Sequence, residues 1–309
     1  MNSSYCVNGS IKMSQLNKNL TLWGGTILFL NVVIGAGLLV VPGLAYQQVG
    51  NFAILSWLFC SLIAMPLLLV FVILGRNYPD AGGIAHYAKR AFGPWVQKIA
   101  AFLLLGAVIF GIPSIAMTAG YYLDSVLPFS VHGYAILLLL AAVAAHGVGG
   151  ESLGKILGLI GSSVLLILIA LLVVGFFGLG KSSLDHTVAN PFDFTGGTLV
   201  LSLAPFMMIF FAFTGWEIGA HAAEEFENPR RDFPWAMFLS FIVATVFYLA
   251  IALLIQMSDI KSGFAAPFIE VTRPLLGESG QFAVATVAAL VIYANLFGVV
   301  WGVSRLVYS

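Results

Sequence analysis

Apolar residues fall along this chain in long, nearly uninterrupted runs from Leu20 onward, with polar residues confined mostly to the gaps between them. A helix needs about 20 apolar residues to cross a hydrocarbon core roughly 30 Å thick. Eight segments reach or approach that length: approximately 21–46, 50–75, 99–123, 133–148, 156–179, 198–222, 233–257 and 281–306, the fourth being the shortest. Barrel strands would alternate apolar and polar positions, whereas these runs are apolar on every face. The pattern predicts an all-α polytopic membrane protein, with residues 1–19 as an N-terminal tail and residues 20–309 as one transmembrane domain.

Composition agrees with the pattern. Of 309 residues, 60% are hydrophobic and 8% charged, against about 25% charged in an ordinary soluble domain. That excludes a soluble globular enzyme, and also a disordered or nucleic-acid-binding chain, each of which needs abundant charge. Thirteen basic and thirteen acidic residues cancel, so net charge identifies no partner. Cys6 and Cys60 are far apart, which suits neither a disulfide framework nor a metal knuckle.

The distribution of the basic residues predicts an orientation. With the N-terminus inside, the cytoplasmic set is Lys12, Lys18, Arg76, Lys89, Arg90, Lys98, Lys155, Arg230, Arg231 and Arg305, leaving Lys181, Lys261 and Arg273 outside. This positive-inside bias places both termini in the cytoplasm. The first 20 residues lack the apolar core of a cleaved signal peptide. The sequons at Asn2, Asn8 and Asn19 then sit on a cytoplasmic tail, out of reach of glycosylation.

Two spans are interrupted near their centres. The first contains Asn31-Val-Val-Ile34-Gly35-Ala36-Gly37-Leu38, followed by Pro42-Gly43, and the sixth contains Phe210-Phe211-Ala212-Phe213-Thr214-Gly215-Trp216-Glu217. Either patch alone fits a helix-packing notch. Two breaks five spans apart fit an inverted repeat, in which the first and sixth helices meet at the midplane and their unwound segments form a site. Amides at Gly35, Ala36 and Gly37 would suit a carboxylate at a positive dipole end. Carbonyls around Phe211, Ala212 and Phe213 would suit an ammonium. Together they fit an α-amino acid zwitterion, with Ile34 and Thr214 at the edges of the two breaks.

Glu217 is the only acidic residue well inside a predicted span, roughly 10 Å from the centre of its helix on the cytoplasmic side. An intramembrane carboxylate is a functional candidate by default. It fits two roles, a protonatable gate or proton-coupling group, and a structural acceptor that ties the broken helix to a neighbour. Other features support less. His221 with Glu224 and Glu225 lacks a third ligand at sensible spacing and is expected to be a solvated helix end, not a metal site. Gly35-x-Gly37 follows no strand and is not a nucleotide turn, so no cofactor is expected. The Arg76–Lys98 stretch fits an interfacial amphipathic segment. Pro113 fits a kink in the third span. Asn295 and Ser304 either line a path or pair with neighbouring helices. His132, His146 and His186 receive no role.

The same residues resemble the amino acid/polyamine/organocation transporter family. Ile34-Gly35-Ala36-Gly37 with Pro42 is similar to its first-helix motif. Phe211-Ala212-Phe213-Thr214-Gly215-Trp216-Glu217, with Glu225-Phe-Glu-Asn228-Pro229-Arg230-Arg231-Asp-Phe-Pro234, resembles its sixth helix and the loop that follows. The stretch Leu74-Gly75-Arg76-Asn77-Tyr78-Pro79-Asp80-Ala81-Gly82-Gly83-Ile84-Ala85-His86-Tyr87, together with Gly111-Ile112-Pro113, looks most like the bacterial L-methionine and branched-chain amino acid exporters. The resemblance runs from about residue 20 to the end of the chain. It implies a leucine-transporter-like inverted-repeat fold, with substrate held between helices 1, 3, 6 and 8 in a bacterial inner membrane. It implies that the aromatic at Phe211 covers the substrate side chain, that Glu217 is linked to gating and that the Arg76–Lys98 stretch is a cytoplasmic gate. The Lys that some relatives carry in helix 5 has no counterpart in 156–179. The chain ends at Ser304-Arg305-Leu306-Val307-Tyr308-Ser309, where family members finish helix 8, so an incomplete second repeat, truncated after helix 8, is expected.

The expected function is secondary transport of small neutral amino acids by alternating access, with methionine and branched-chain efflux implied by the resemblance. Proton or cation coupling is compatible with this reading, and the sequence leaves oligomeric state open. The alternatives are a non-transporting fragment of such a permease, a membrane-embedded enzyme and a channel. The sequence contains no H-E-x-x-H or G-x-S-x-G and no repeated filter-like segment to favour the last two.

Overall fold

The computed structural model describes residues 20–80, 82–146, 163, 166–179, 192–193 and 199–308, apart from the side chains of residues 218, 301–302 and 305–308. The tail at 1–19 and the first part of the fifth predicted span therefore lie outside the described residues. Among these residues the chain is helical and forms no strand, apart from a single bridge between Leu20 and Phe226.

The first predicted span is two helices, α1 (Leu22–Val33) and α2 (Ala36–Val49), separated at Ile34 and Gly35. At 1.5 Å per residue neither half is long enough to cross a bilayer, so the pair makes one crossing with a discontinuity inside it. After a 3₁₀ turn at Gly50–Phe52, α3 (Ala53–Asn77) is a full crossing. The amphipathic stretch that follows forms α4 (Gly83–Phe92), and α5 (Pro94–Asp124) starts immediately after Gly93 and runs through Pro113 without stopping. The fourth span is short, as its sequence implies: α6 covers Val131–Ala145. The described part of the fifth is α7 (Leu166–Leu179).

The sixth predicted span is the most fragmented. A 3₁₀ turn at Leu199–Leu203 leads into α8 (Phe206–Ala212); the backbone leaves the helix at Phe213, Thr214 and Gly215, then resumes as α9 (Trp216–Gly219) and a 3₁₀ segment at Ala220–Glu225. Then α10 (Asp232–Ser258) is continuous, and α11 (Pro267–Tyr308) is bent at Gly277, where φ is 61°. The last helix therefore begins earlier than its apolar run, because Pro267–Leu276 is amphipathic and carries Glu270 and Arg273.

Helices in lipid gain little from the hydrophobic effect against one another and associate by close packing, which small residues permit. The packing here follows that rule. A methyl group on Gly25 would overlap the Phe226 ring, one on Gly75 would overlap Phe233, and one on Gly219 would meet Phe29 at 3.1 Å. These contacts draw α1, α3 and the α9 region together around α10. A second cluster surrounds Phe213: its ring lies 4.9 Å from Tyr248 and 6.0 Å from Phe241, and Tyr248 stacks on Trp57 at 5.0 Å. Such aromatic pairs are worth about 0.5–1.5 kcal/mol each beyond their burial.

Candidate functional site

The two breaks face each other, and the contact between them is backbone on backbone. A Cβ on Gly37 would lie 2.8 Å from both the Cα and the Cβ of Ala212, so α2 and α8 touch where Gly37 can carry no side chain. Gly215 turns the chain with φ at 116°, a conformation that glycine adopts without steric cost, and rests against Val32 and Val33.

Each break leaves helix-end carbonyls without intrahelical donors, and side chains from other helices and from the break itself supply donors. At the end of α1, the Asn295 carboxamide of α11 donates Nδ2–H to the carbonyls of Asn31 and Val32, both at 2.9 Å. The Tyr248 hydroxyl of α10 lies 3.1 Å from the Val33 carbonyl and 2.5 Å from the Ala212 carbonyl. At the end of α8, the Thr214 hydroxyl donates to the Phe211 carbonyl at 2.7 Å. The Phe211 carbonyl thus accepts both the hydroxyl and the amide of Thr214, the Ala212 carbonyl accepts Tyr248 and keeps a second lone pair, and among the described residues no hydrogen bond is made to the Phe213 carbonyl.

The amide end differs. Gly35 precedes α2 without a side-chain cap, and the first amides directed at its carbonyl belong to Leu38 and Leu39. The Ala36 and Gly37 amides thus lie in the uncapped first turn, at the positive end of α2.

Between the breaks and the predicted cytoplasmic side lies a cavity of about 440 Å³. Its walls come from the first, third, sixth and eighth predicted spans, including Val32, Ala36 and Gly37, then Ile115 of α5, Phe211, and Asn295 of α11. Most of the lining is aliphatic. Ala212, Thr214, Glu217 and His221 also reach it. Ile34, Gly35 and Phe213 do not. Ile34 is buried in the core, Phe213 is buried in the aromatic cluster, and a substituent on Gly35 would run into the Asn295 carboxamide. Phe211, 39% exposed, lines the open volume, as does Phe110 of α5.

Glu217 sits in the first turn of α9, and its Oε2 accepts the Gly215 amide at 2.8 Å, bridging the break locally. His221 is not a solvated helix end. It is buried, its Nδ1 lies 3.0 Å from the Glu217 carbonyl, and its ring packs closely against Gly83 at the start of α4. The start of α4 is therefore docked under the cavity, whereas Phe92 and Trp95 farther along the Arg76–Lys98 stretch are exposed.

Tyr248 gave no signal as a candidate, although a tyrosine in the middle of an otherwise apolar helix needs a hydrogen-bond partner and can be suspected on that ground. The α5 wall from Leu104 to Ile115 carries no motif beyond Gly111-Ile112-Pro113.

Residues 20–309 match the amino acid permease family model. The chain is 31% identical to the L-methionine/branched-chain amino acid exporter YjeH of Escherichia coli, an alignment covering 96% of this chain and 71% of that protein. It is 26% identical to the uncharacterized amino acid permease YecA of Bacillus subtilis, covering 96% and 70%. It is also 28% identical to the glutamate/serine transporter AimA of Bacillus subtilis, covering 85% and 53%. These matches are transporters and permeases, not enzymes, and with a helical membrane architecture broken at two facing points, the chain belongs to the amino acid permease family.

Proposed function

We propose that this protein is a secondary transporter of small neutral amino acids that works by alternating access, with the cavity between the two breaks and the N-terminal side as its substrate chamber. One observation carries the reading: Ala36 and Gly37, whose amides lie in the uncapped first turn of α2, line a mostly aliphatic cavity on the face shared with the α8–α9 break. The amides suit a carboxylate, the carbonyl of the cavity-lining Ala212, with a second lone pair beyond its bond from Tyr248, suits the ammonium, and the aliphatic wall with Phe211 suits an apolar side chain. The name of the Escherichia coli relative, a methionine and branched-chain amino acid exporter, fits that chemistry and supports efflux.

In this reading the N-terminus is cytoplasmic, by the positive-inside bias, and the cavity opens inward. The outer side is held shut by Tyr122, which donates to the Leu39 carbonyl at 2.8 Å, and by Tyr46, which donates to Asp259 at 2.7 Å. An outward-open state must release the second contact, because it ties the far end of α2 to the end of α10.

The test is efflux from cells expressing this chain and loaded with methionine- or leucine-containing dipeptides. Faster appearance of free methionine or leucine outside, suppressed by Phe211→Ala, supports the proposal. Efflux equal to that of cells lacking the protein, with the protein present in the membrane, would overturn it for this chain.

A further inference from the structure

A second cavity lies away from the breaks, at the end of α3. It holds about 370 Å³ and is lined by Val72, Ile73, Arg76, Asn77 and Arg230. Its two arginines come from segments far apart in sequence, and the contact of Gly75 with the Phe233 ring fixes their proximity. That contact locks the last turn of α3 against the start of α10, so Arg76 and Arg230 share one rim.

Neither guanidinium forms an ion pair or hydrogen bond among the described residues, where three salt bridges are found, all elsewhere. Arg90 behaves differently: it is used inside the protein, its guanidinium 4.3 Å from the centre of the Tyr78 ring. Both Arg76 and Arg230 are exposed. The positive-inside rule explains why basic residues lie on this side, but not why two converge unpaired on one cavity.

Depth and surroundings indicate the ligand. At 25 residues α3 is roughly 37 Å long, somewhat more than the hydrocarbon core, so Arg76 in its last turn stands at headgroup level. Below it the same helix presents Leu69, Val70 and Ile73, each more than 40% exposed, as an aliphatic ridge leading out of the cavity. A two-charge cationic rim above an apolar track matches a molecule with an anionic head and acyl tails, and basic pockets of this kind at the cytoplasmic interface bind acidic lipid headgroups.

We infer that the cavity between the end of α3 and Arg230 is a binding site for an anionic phospholipid, whose phosphate is held by Arg76 and Arg230 and whose chains lie along α3. The inference does not depend on the transported substrate.

The test is native mass spectrometry of the full chain in detergent, titrated with phosphatidylglycerol, with phosphatidylcholine of the same acyl chains, and with glycerol 3-phosphate. Phosphatidylglycerol is expected to bind at least tenfold more tightly than phosphatidylcholine. The double variant Arg76→Gln/Arg230→Gln should weaken it roughly 30-fold, at about 1 kcal/mol per interfacial basic side chain, while Lys98→Gln leaves it unchanged. Equal binding of the two lipids by the unaltered protein overturns the inference without recourse to any variant. So does an equal loss in Lys98→Gln, which would indicate diffuse surface charge. Glycerol 3-phosphate binding as tightly as the lipid would assign the site to a soluble phosphate and overturn the lipid assignment.

Discussion

The hydroxyl of Tyr248 reaches the carbonyls of both Val33 and Ala212, the ends of the two half-helices α1 and α8. A hydroxyl has one proton, so it serves the two carbonyls as a shared donor, closer to Ala212, and any separation of the breaks forces it to favour one. Tyr248→Phe keeps the ring stacked on Trp57 and removes the donor. Leaving a buried carbonyl under-satisfied costs about 1–3 kcal/mol. The expected result is a lower unfolding temperature in detergent together with slower transport. An unchanged melting curve would show that the hydroxyl contributes nothing to holding the breaks.

Asn295 offers a sharper contrast. Its Nδ2 donates to two α1 carbonyls. Asn295→Leu loses both hydrogen bonds, about 1 kcal/mol each. Asn295→Asp places an acceptor-only carboxylate against two carbonyl oxygens and is expected to be worse. Thermal stability should therefore fall in the order Asn, Leu, Asp. Asp equal to Asn would refute the geometry.

Gly35 is coupled to the same group, since a methyl there would displace the Asn295 carboxamide. Gly35→Ala and Asn295→Leu should damage one contact and be strongly non-additive in a double-mutant cycle, with an interaction term of about 0.5–3 kcal/mol. Simple additivity would separate the two residues. Loss of transport in a Gly35 variant consequently reports the α1–α11 clamp and not substrate contact.

For Glu217, the local bridge to Gly215 favours anchoring over coupling. Glu217→Gln retains an acceptor oxygen and is expected to transport with an unchanged pH profile, whereas Glu217→Ala is expected to lose activity. A displaced pH profile in Glu217→Gln would restore the proton-coupling role.

Acid should loosen the outer contact. Burial alone would raise the Asp259 carboxyl, but hydrogen bonds from Lys261 and Tyr46, with the Lys261 charge, outweigh it and hold the group below its usual range. A depressed carboxylate contributes stability that is complete above its unfolded value, about 3.9, and is lost as pH falls through the folded value. Asp259 and Lys261 are substantially solvent-exposed, so the effect is small. Asp259→Asn keeps a residue tolerant of the left-handed backbone there and should flatten the acid limb of a melting-temperature profile below about pH 4.

The parts of this fold that could be read from the sequence are the local ones. Apolar runs marked the crossings, and Gly35 and Gly215 marked the breaks, because hydrophobic length and small-residue clusters are properties of a few consecutive positions. The start of α11 was missed because Pro267–Leu276 carries Glu270 and Arg273 and does not look apolar. Tyr248 was missed because its partners lie 36 and 215 positions away, and Phe213 was placed in the site although its ring turns into the core. His221 looked like a solvated helix end because its burial depends on Gly83, a residue from another element.

The contact of Gly37 with Ala212 has a mechanical consequence. With only the Ala212 methyl at the contact, there is no rotamer to absorb displacement and hence no play in the joint. The α2 and α8 halves must travel as one lever, and any rocking has to be taken up by bending at Ile34–Gly35 and Phe213–Gly215 on either side of it.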